Sequence, residues 1–142
     1  MKVRMLTDAA YADLSKGREQ VLTKKRGYGV ISIQVNNLTF AVPLRSNMNK
    51  NSFGLKTILV GKSWNGIDYS KALVIEDGHL EPEAFKFRDN REYEKLQKSA
   101  EKIQIGFSEY VEEYRNSILN NIPLKFKFKF TTLQYFHKEL GI

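Results

Sequence analysis

Residues 26–53 read RGYGVISIQVNNLTFAVPLRSNMNKNSF, and this stretch constrains the fold more than any other. Val30, Ser32 and Gln34 alternate with Ile31, Ile33 and Val35, the period of two that gives a strand one buried and one more polar face. Asn36-Asn37 follows at once, and asparagine tolerates positive φ better than other non-glycine residues, so the pair predicts a hairpin turn. The return strand, residues 38–44, stops where Pro43-Leu44 gives way to Arg45-Ser46-Asn47. A hairpin brings the end of its second strand beside the start of its first. Arg45 and Ser46 are therefore expected near Arg26 and Tyr28, so that two guanidiniums, a hydroxyl and a phenol meet at one end of the ribbon. An ordinary polar loop closed by a serine turn is the plainer reading of residues 45–47.

At 142 residues the chain is expected to form a single domain, 1–142, with a core large enough to need no staple. It has no cysteine, which excludes disulfide scaffolds, thiol nucleophiles and cysteine-bound zinc. His79 and His137 stand in unrelated contexts, so no histidine metal site and no cofactor is expected. Neither a signal-peptide pattern nor a membrane-length apolar run occurs, and a cytoplasmic location without membrane contact is expected. Lysine and arginine number 23 against 16 acidic residues, a net charge of +7 and a pI near 9.5. That balance suits a polyanionic partner such as nucleic acid, and equally a soluble basic domain whose charge serves only solubility.

In chain order, residues 2–6 suggest a short strand, and Thr7-Asp8 an N-cap for a helix ending near Gly17. Residues 16–26 are rich in lysine and arginine, and Lys24 and Lys25 are candidate phosphate contacts alongside the bland reading of a solvated linker. Lys50 centres the loop after the hairpin. Residues 56–60 look like a third strand, Trp64-Asn65-Gly66-Ile67 like a turn, and residues 71–75 like a fourth strand. Trp64 is read either as a cover for the sheet end or as a base-stacking platform. Residues 76–88 read as a connection marked by Asp77-Gly78 and Pro82. A long helix is expected from an Asp89 cap, with Tyr93, Leu96, Ala100, Ile103, Phe107, Tyr110, Tyr114 and Ile118 forming its core stripe and Gly106 a bend or close-packing point. Residues 124–130, LKFKFKF, alternate strictly. As a strand they would set three phenylalanines against Lys125, Lys127 and Lys129, a cationic face suited equally to protecting an edge and to binding RNA. Thr131-Thr132 is expected to cap a last helix closed by Gly141. No internal repeat, low-complexity tract or second domain is present.

Walker, dinucleotide, zincin and nucleophile-elbow motifs are all missing. The chemistry left to basic groups, a hydroxyl and a phenol includes metal-free RNA cleavage, in which the ribose 2′-oxygen attacks the adjacent phosphate. That reaction needs a proton acceptor, a proton donor and cations facing the phosphorane. Guanidiniums near Ser46 match phosphate in a bidentate manner. A non-catalytic basic RNA-binding module, built as a small barrel, is the alternative class.

The order of basic residue, aromatic, strand, turn and strand, then A-V-P-L-R-S-N and G-I-D-Y-S-K-A-L-V-I-E-D, resembles the toxins of type III toxin-antitoxin systems, the ToxN, AbiQ, CptN and TenpN group. The closing T-L-Q-Y-F-H-K-E-L-G resembles the TenpN-like branch. The resemblance implies an α+β fold with a strongly bent, barrel-like antiparallel sheet surrounded by helices. It also implies a sequence-specific endoribonuclease of abortive infection and phage defence. Its expected partners are a repeat-derived RNA pseudoknot antitoxin, in a protein–RNA hetero-oligomer, and cellular or phage RNA as substrate. Carried over by position, Ser46 matches the active-site serine after P-L-x, Arg45 its neighbour, and Arg26 the basic residue before the hairpin. The expected roles are Ser46 at the attacking ribose oxygen, Arg26 and Arg45 on the phosphate, and Lys50 on the leaving group. Tyr28, Asn47 and Lys71 join the lysines already named as RNA contacts.

Overall fold

Among the described residues, seven antiparallel strands form an open sheet in the order β4-β5-β3-β2-β1-β7, with β6 beside β3, and four helices accompany it. The computed structural model describes residues 2–23 and 27–142. The strands are β1 (Val3–Leu6), β2 (Gly29–Val35), β3 (Leu38–Arg45), β4 (Gly54–Val60), β5 (Ser63–Asp68), β6 (Leu73–Ile75) and β7 (Leu80–Ala84). The helices are α1 (Asp8–Ser15), α2 (Asn90–Lys98), α3 (Ala100–Leu119) and α4 (His137–Leu140). The expected α+β class is present, but the sheet keeps two edges, β4 and β7, and does not close into a barrel. Among the described residues, no helix is long and apolar enough to cross a membrane.

The β2–β3 hairpin is the centre of this sheet. Its ladder runs from Val35↔Leu38 to Val30↔Pro43, and Asn36 and Asn37 turn the chain with φ of 51° and 68°, the left-handed pair that a two-residue hairpin turn requires. Ile31, Ile33 and Val35 are buried while Ser32 and Gln34 are exposed, as the alternation predicts, but Val30, grouped with the polar face, is buried too. On its other side β3 pairs first with β6, through residues 39–41, and then with β5, through Leu44↔Ile67 and Arg45↔Gly66. Pro43, which has no N–H to donate, falls where this outer ladder changes partner.

Several sequence expectations are corrected. Residues 64–67 are not a turn but lie inside β5, and the hairpin reverses at Gly61-Lys62, where Gly61 has φ 62°. Gly66 is instead a point of close strand approach, since a Cβ there would run into the Leu55 carbonyl oxygen. The strand expected over residues 71–75 is the shorter β6, and Lys71 instead ends a 3-10 turn, Tyr69–Lys71, that Asp68 caps. The connection at 76–88 contains β7, whose Pro82 is tolerated because β7 is an edge. The long helix starts at its Asp89 cap as expected but breaks at Ser99. Gly106 is a close-packing point, one of the two roles expected for it: α3 passes Tyr69 there, whose hydroxyl would lie 3.1 Å from a Cβ. Residues 124–130 are not a strand, and a 3-10 turn occupies Phe126–Phe128. After Thr131-Thr132 a 3-10 turn, Thr132–Tyr135, precedes the short α4, which Gly141 ends at φ 72°.

Candidate active site

β3 ends at Arg45, and the next two residues leave the sheet abruptly: Ser46 is exposed and Asn47 adopts a left-handed φ of 57°. Asparagine is one of the few side chains that accepts this conformation. The serine thus sits at the end of a strand whose backbone is paired on both sides, a rigid mount for an exposed hydroxyl. It lines a cleft of about 540 Å³ together with Arg45, Asn65, Lys86 and Arg88 over a floor that includes Leu44, Val60, Phe85 and Phe87. Gly27 also lines this cleft. Asp89 and Glu92 line it as well, so Arg45, Lys86 and Arg88 share the cleft with two carboxylates. Cations beside an exposed hydroxyl and apolar side chains suit an anion carrying a flat apolar group, which is the make-up of a nucleotide.

Arg45 is braced from behind. Its Nη1 donates to Asp68 Oδ2 at 2.9 Å, and Asp68 is fully buried. The other carboxylate oxygen, Oδ1, accepts from the Phe53 amide at 3.2 Å, the Ser70 amide at 3.0 Å and Ser70 Oγ at 2.5 Å. One buried acid therefore ties together the end of β3, the loop after it and the turn at 69–71. A buried carboxylate stripped of its cation is strongly unfavourable, so Asp68 and Arg45 hold each other in place.

Tyr28 is buried against Tyr11, with ring centroids 5.4 Å apart. Burial pushes its phenol well above the ordinary tyrosine value, with Tyr11 and Asp68 adding to the rise and Arg45 opposing it. It stays protonated at neutral pH and lines a separate, smaller cavity with Tyr11 and Glu81. Lys71 is also turned inward, donating to Gln20 Oε1 at 3.1 Å and to the Phe130 carbonyl at 2.9 Å. Burial lowers its pKa, and Asp68 works against that shift.

Lys50 and Asn47 are exposed in the loop after Ser46. Asn49 organises that loop: its Oδ1 accepts from the Asn51 amide at 2.8 Å and its carbonyl from the Ser52 amide at 2.9 Å. Lys125 and Lys127 pair with Glu113 at 3.6 and 2.8 Å, and the Lys129 ammonium lies over the rings of Phe126 and Phe130. Arg26, Lys24 and Lys25 lie outside the described residues. Of the residues singled out from sequence, Ser46 and Arg45 share the cleft. Sequence reasoning missed Lys86, Arg88 and Asn65. The first two belong to a Phe85-Lys86-Phe87-Arg88 alternation, the same apolar–basic signal that drew attention to residues 124–130. Among the described residues, no three histidine or carboxylate side chains gather as a metal ion would need.

No protein-family model matches the chain, and no curated protein matches it. Solved structures do. AbiQ, a lactococcal anti-phage endoribonuclease belonging to the type III toxin-antitoxin system, superposes with a TM-score of 0.67 at 15% identity, over 99% of this chain and 95% of that one. The chain has the fold of AbiQ. ToxN, from a bacterial antiviral system regulated by a processed non-coding RNA, superposes with a TM-score of 0.60, also at 15% identity, over 96% of this chain and 98% of its own. Both likenesses run nearly end to end, so the fold described here accounts for the whole of each relative.

Proposed function

We propose that this chain is the endoribonuclease toxin of a type III toxin-antitoxin system, of the TenpN-like branch, acting in abortive infection of phage-challenged cells. In this reading it is a cytoplasmic, metal-independent enzyme that cuts cellular or phage RNA at a specific sequence. The 2′-oxygen attacks phosphorus, the bond to the 5′-oxygen breaks, and the products are a 2′,3′-cyclic phosphate and a free 5′-hydroxyl. Ser46 hydrogen-bonds the attacking oxygen, whose proton passes to water in the open cleft. Arg45 and Arg26 grip the scissile phosphate, and Lys50 gives the departing oxygen its proton. Lys86 and Arg88 bind neighbouring phosphates. A repeat-derived RNA pseudoknot held in the same basic cleft, in a protein–RNA assembly, keeps the enzyme silent.

The observation that carries this reading is the exposed Ser46 beside a guanidinium fixed by a buried carboxylate, in a cleft that Lys86 and Arg88 also line. The end-to-end likeness to AbiQ, a protein that cuts RNA, adds to it. The test is a denaturing gel of RNA incubated with the purified chain in chelator. Discrete cuts ending in cyclic phosphate are expected, and Ser46→Ala is expected to slow them at least about 100-fold while the protein still folds and still shifts RNA. RNA that is shifted but left intact by the wild-type protein would assign a binding module instead, and a toxic Ser46→Ala would remove the serine from the site.

A further inference from the structure

β4 and β5 form a hairpin that stands at the edge of the sheet, and its two faces differ. Val60 and Asn65 line the cleft. Successive residues of a strand point to opposite sides, so Trp64, next to Asn65, belongs to the other face. There it pairs across the ladder with Leu59, and Lys56, opposite Gly66, shares that face. The indole is 38% exposed and Leu59 50% exposed, with the Lys56 ammonium 5.9 Å from the indole ring. Lys62 is exposed in the turn itself. An indole that served only to seal the sheet end would be covered, and its direct partner would be an interior leucine. Here a flat aromatic surface and two cations are presented to solvent together.

This face is coupled to the candidate active site by backbone. The Met48 amide donates to the Trp64 carbonyl at 2.7 Å, which extends the Arg45↔Gly66 pairing into the loop carrying Ser46. Two residues of chain and one strand spacing separate Ser46 from Trp64, a span of roughly 10 Å. A polynucleotide strand leaving the cleft past the hairpin would reach the indole within a nucleotide or two.

We propose that the outer face of the β4–β5 hairpin is a stacking platform for an unpaired base of single-stranded RNA, with Trp64 as the platform and Lys56 and Lys62 holding the flanking phosphates. Aromatic stacking with nearby cations is how single strands are held without regard to sequence. The net positive charge of the chain, with Lys56 and Lys62 beside the indole, favours RNA as the occupant over a protein segment. The inference rests on RNA being the ligand of the cleft, but not on its being cut.

Trp64 is the sole tryptophan of the chain, so its emission reports on the platform directly. The probe is a 12-nucleotide single-stranded RNA of mixed sequence carrying 2′-O-methyl groups, which cannot undergo 2′-oxygen attack, titrated into the full chain. Saturable quenching that tracks binding of the labelled oligonucleotide is expected, with none from heparin at matched charge. Trp64→Leu is expected to bind the oligonucleotide about 5- to 100-fold more weakly, the range for loss of one base–aromatic stack, with an unchanged melting temperature. Unchanged emission at full RNA occupancy would overturn the platform. So would equal quenching by heparin, or a concentration-dependent change without RNA, which would mark self-association through the indole. The platform and the nuclease reading fail separately: quenching without cleavage of unmodified RNA removes only the nuclease, and cleavage without quenching removes only the platform.

Discussion

Residues 29–35 and residues 124–130 both alternate apolar with polar side chains, yet the first is β2 and the second winds through a 3-10 turn. The difference lies in what stands beside each. β2 has β3 delivered to it by the Asn36-Asn37 turn and β1 on the other flank of residues 29–31, so its backbone is paired and Ile31, Ile33 and Val35 turn into the core. Residues 124–130 follow Pro123 and meet α3, which offers no free backbone groups for a ladder. With about three residues per turn, positions i and i+3 eclipse, and the three phenylalanines are dispersed. Phe128 is buried against Tyr110 and Tyr114, at centroid distances of 5.0 and 5.4 Å, while Phe126 is 57% exposed. Lys129, three residues after Phe126, covers that ring with its ammonium. Alternation specifies a face, and a strand needs a neighbour as well.

The largest expected effect separates the two structures for 124–130 directly. On a strand the three phenylalanines would share one environment and their alanine variants would cost alike. In the turn, Phe128→Ala opens a cavity against α3 and is expected to cost about 3–5 kcal/mol, while Phe126→Ala costs less than about 0.5 kcal/mol. Urea unfolding of the two variants measures this, and equal losses would contradict the turn.

The same contrast explains how much of the fold and site was legible. The β2–β3 hairpin was readable because its turn chemistry and its period lie in adjacent residues, and the α1 and α2 caps at Thr7 and Asp89 were readable for the same reason. The Trp64-Asn65-Gly66 stretch misled because a glycine that signals a turn is here required by close approach between strands. β7 was hidden by Pro82, which only its edge position permits. At the site, Arg45-Ser46 was visible as the abrupt end of an apolar strand. Asn65, Lys86 and Arg88 were not, because they reach the cleft from positions 19, 40 and 42 residues beyond Ser46 along the chain. Asp68 carried a local signal, an acid two residues before a serine whose amide it caps, but its partner Arg45 is contributed by another strand.

A middle-sized effect is expected from the turn that supplies β2 with its neighbour. Asn37 holds φ 68°, a region that costs most side chains about 1–2 kcal/mol and glycine nothing. Asn37→Ala is therefore expected to lower stability by about 1 kcal/mol, and Asn37→Gly to leave it unchanged or raise it by a few tenths. Thermal melts of the pair decide it, and if alanine and glycine behaved alike the register of the hairpin would be set by its strands and not by its turn.

The smallest effect is electrostatic and reads the polar side of each alternation. Lys127 pairs with Glu113 at 2.8 Å, and its hydrogen bond, aided by Lys125, holds the Glu113 carboxyl below the ordinary glutamate range. A carboxylate whose folded pKa is depressed stabilises the fold at pH values above its unfolded pKa. That contribution fades as pH falls from about 4 through the lowered folded value, because the proton then binds both states. The Glu113 side chain is one-third exposed, so the contribution is below about 1 kcal/mol. Lys127→Met is expected to lose that small amount at neutral pH and to converge on the wild-type stability in acid. The corresponding position of β2, Gln34, is uncharged and exposed, so the stability difference between Gln34→Met and wild type should be flat across the same range. Parallel urea titrations at pH 7 and pH 3 compare the two. A Lys127→Met deficit that persisted undiminished at pH 3 would mean that Lys127 acts through its packing on Phe53 and Phe128, over which its ammonium lies at 5.1 and 5.3 Å, rather than through Glu113.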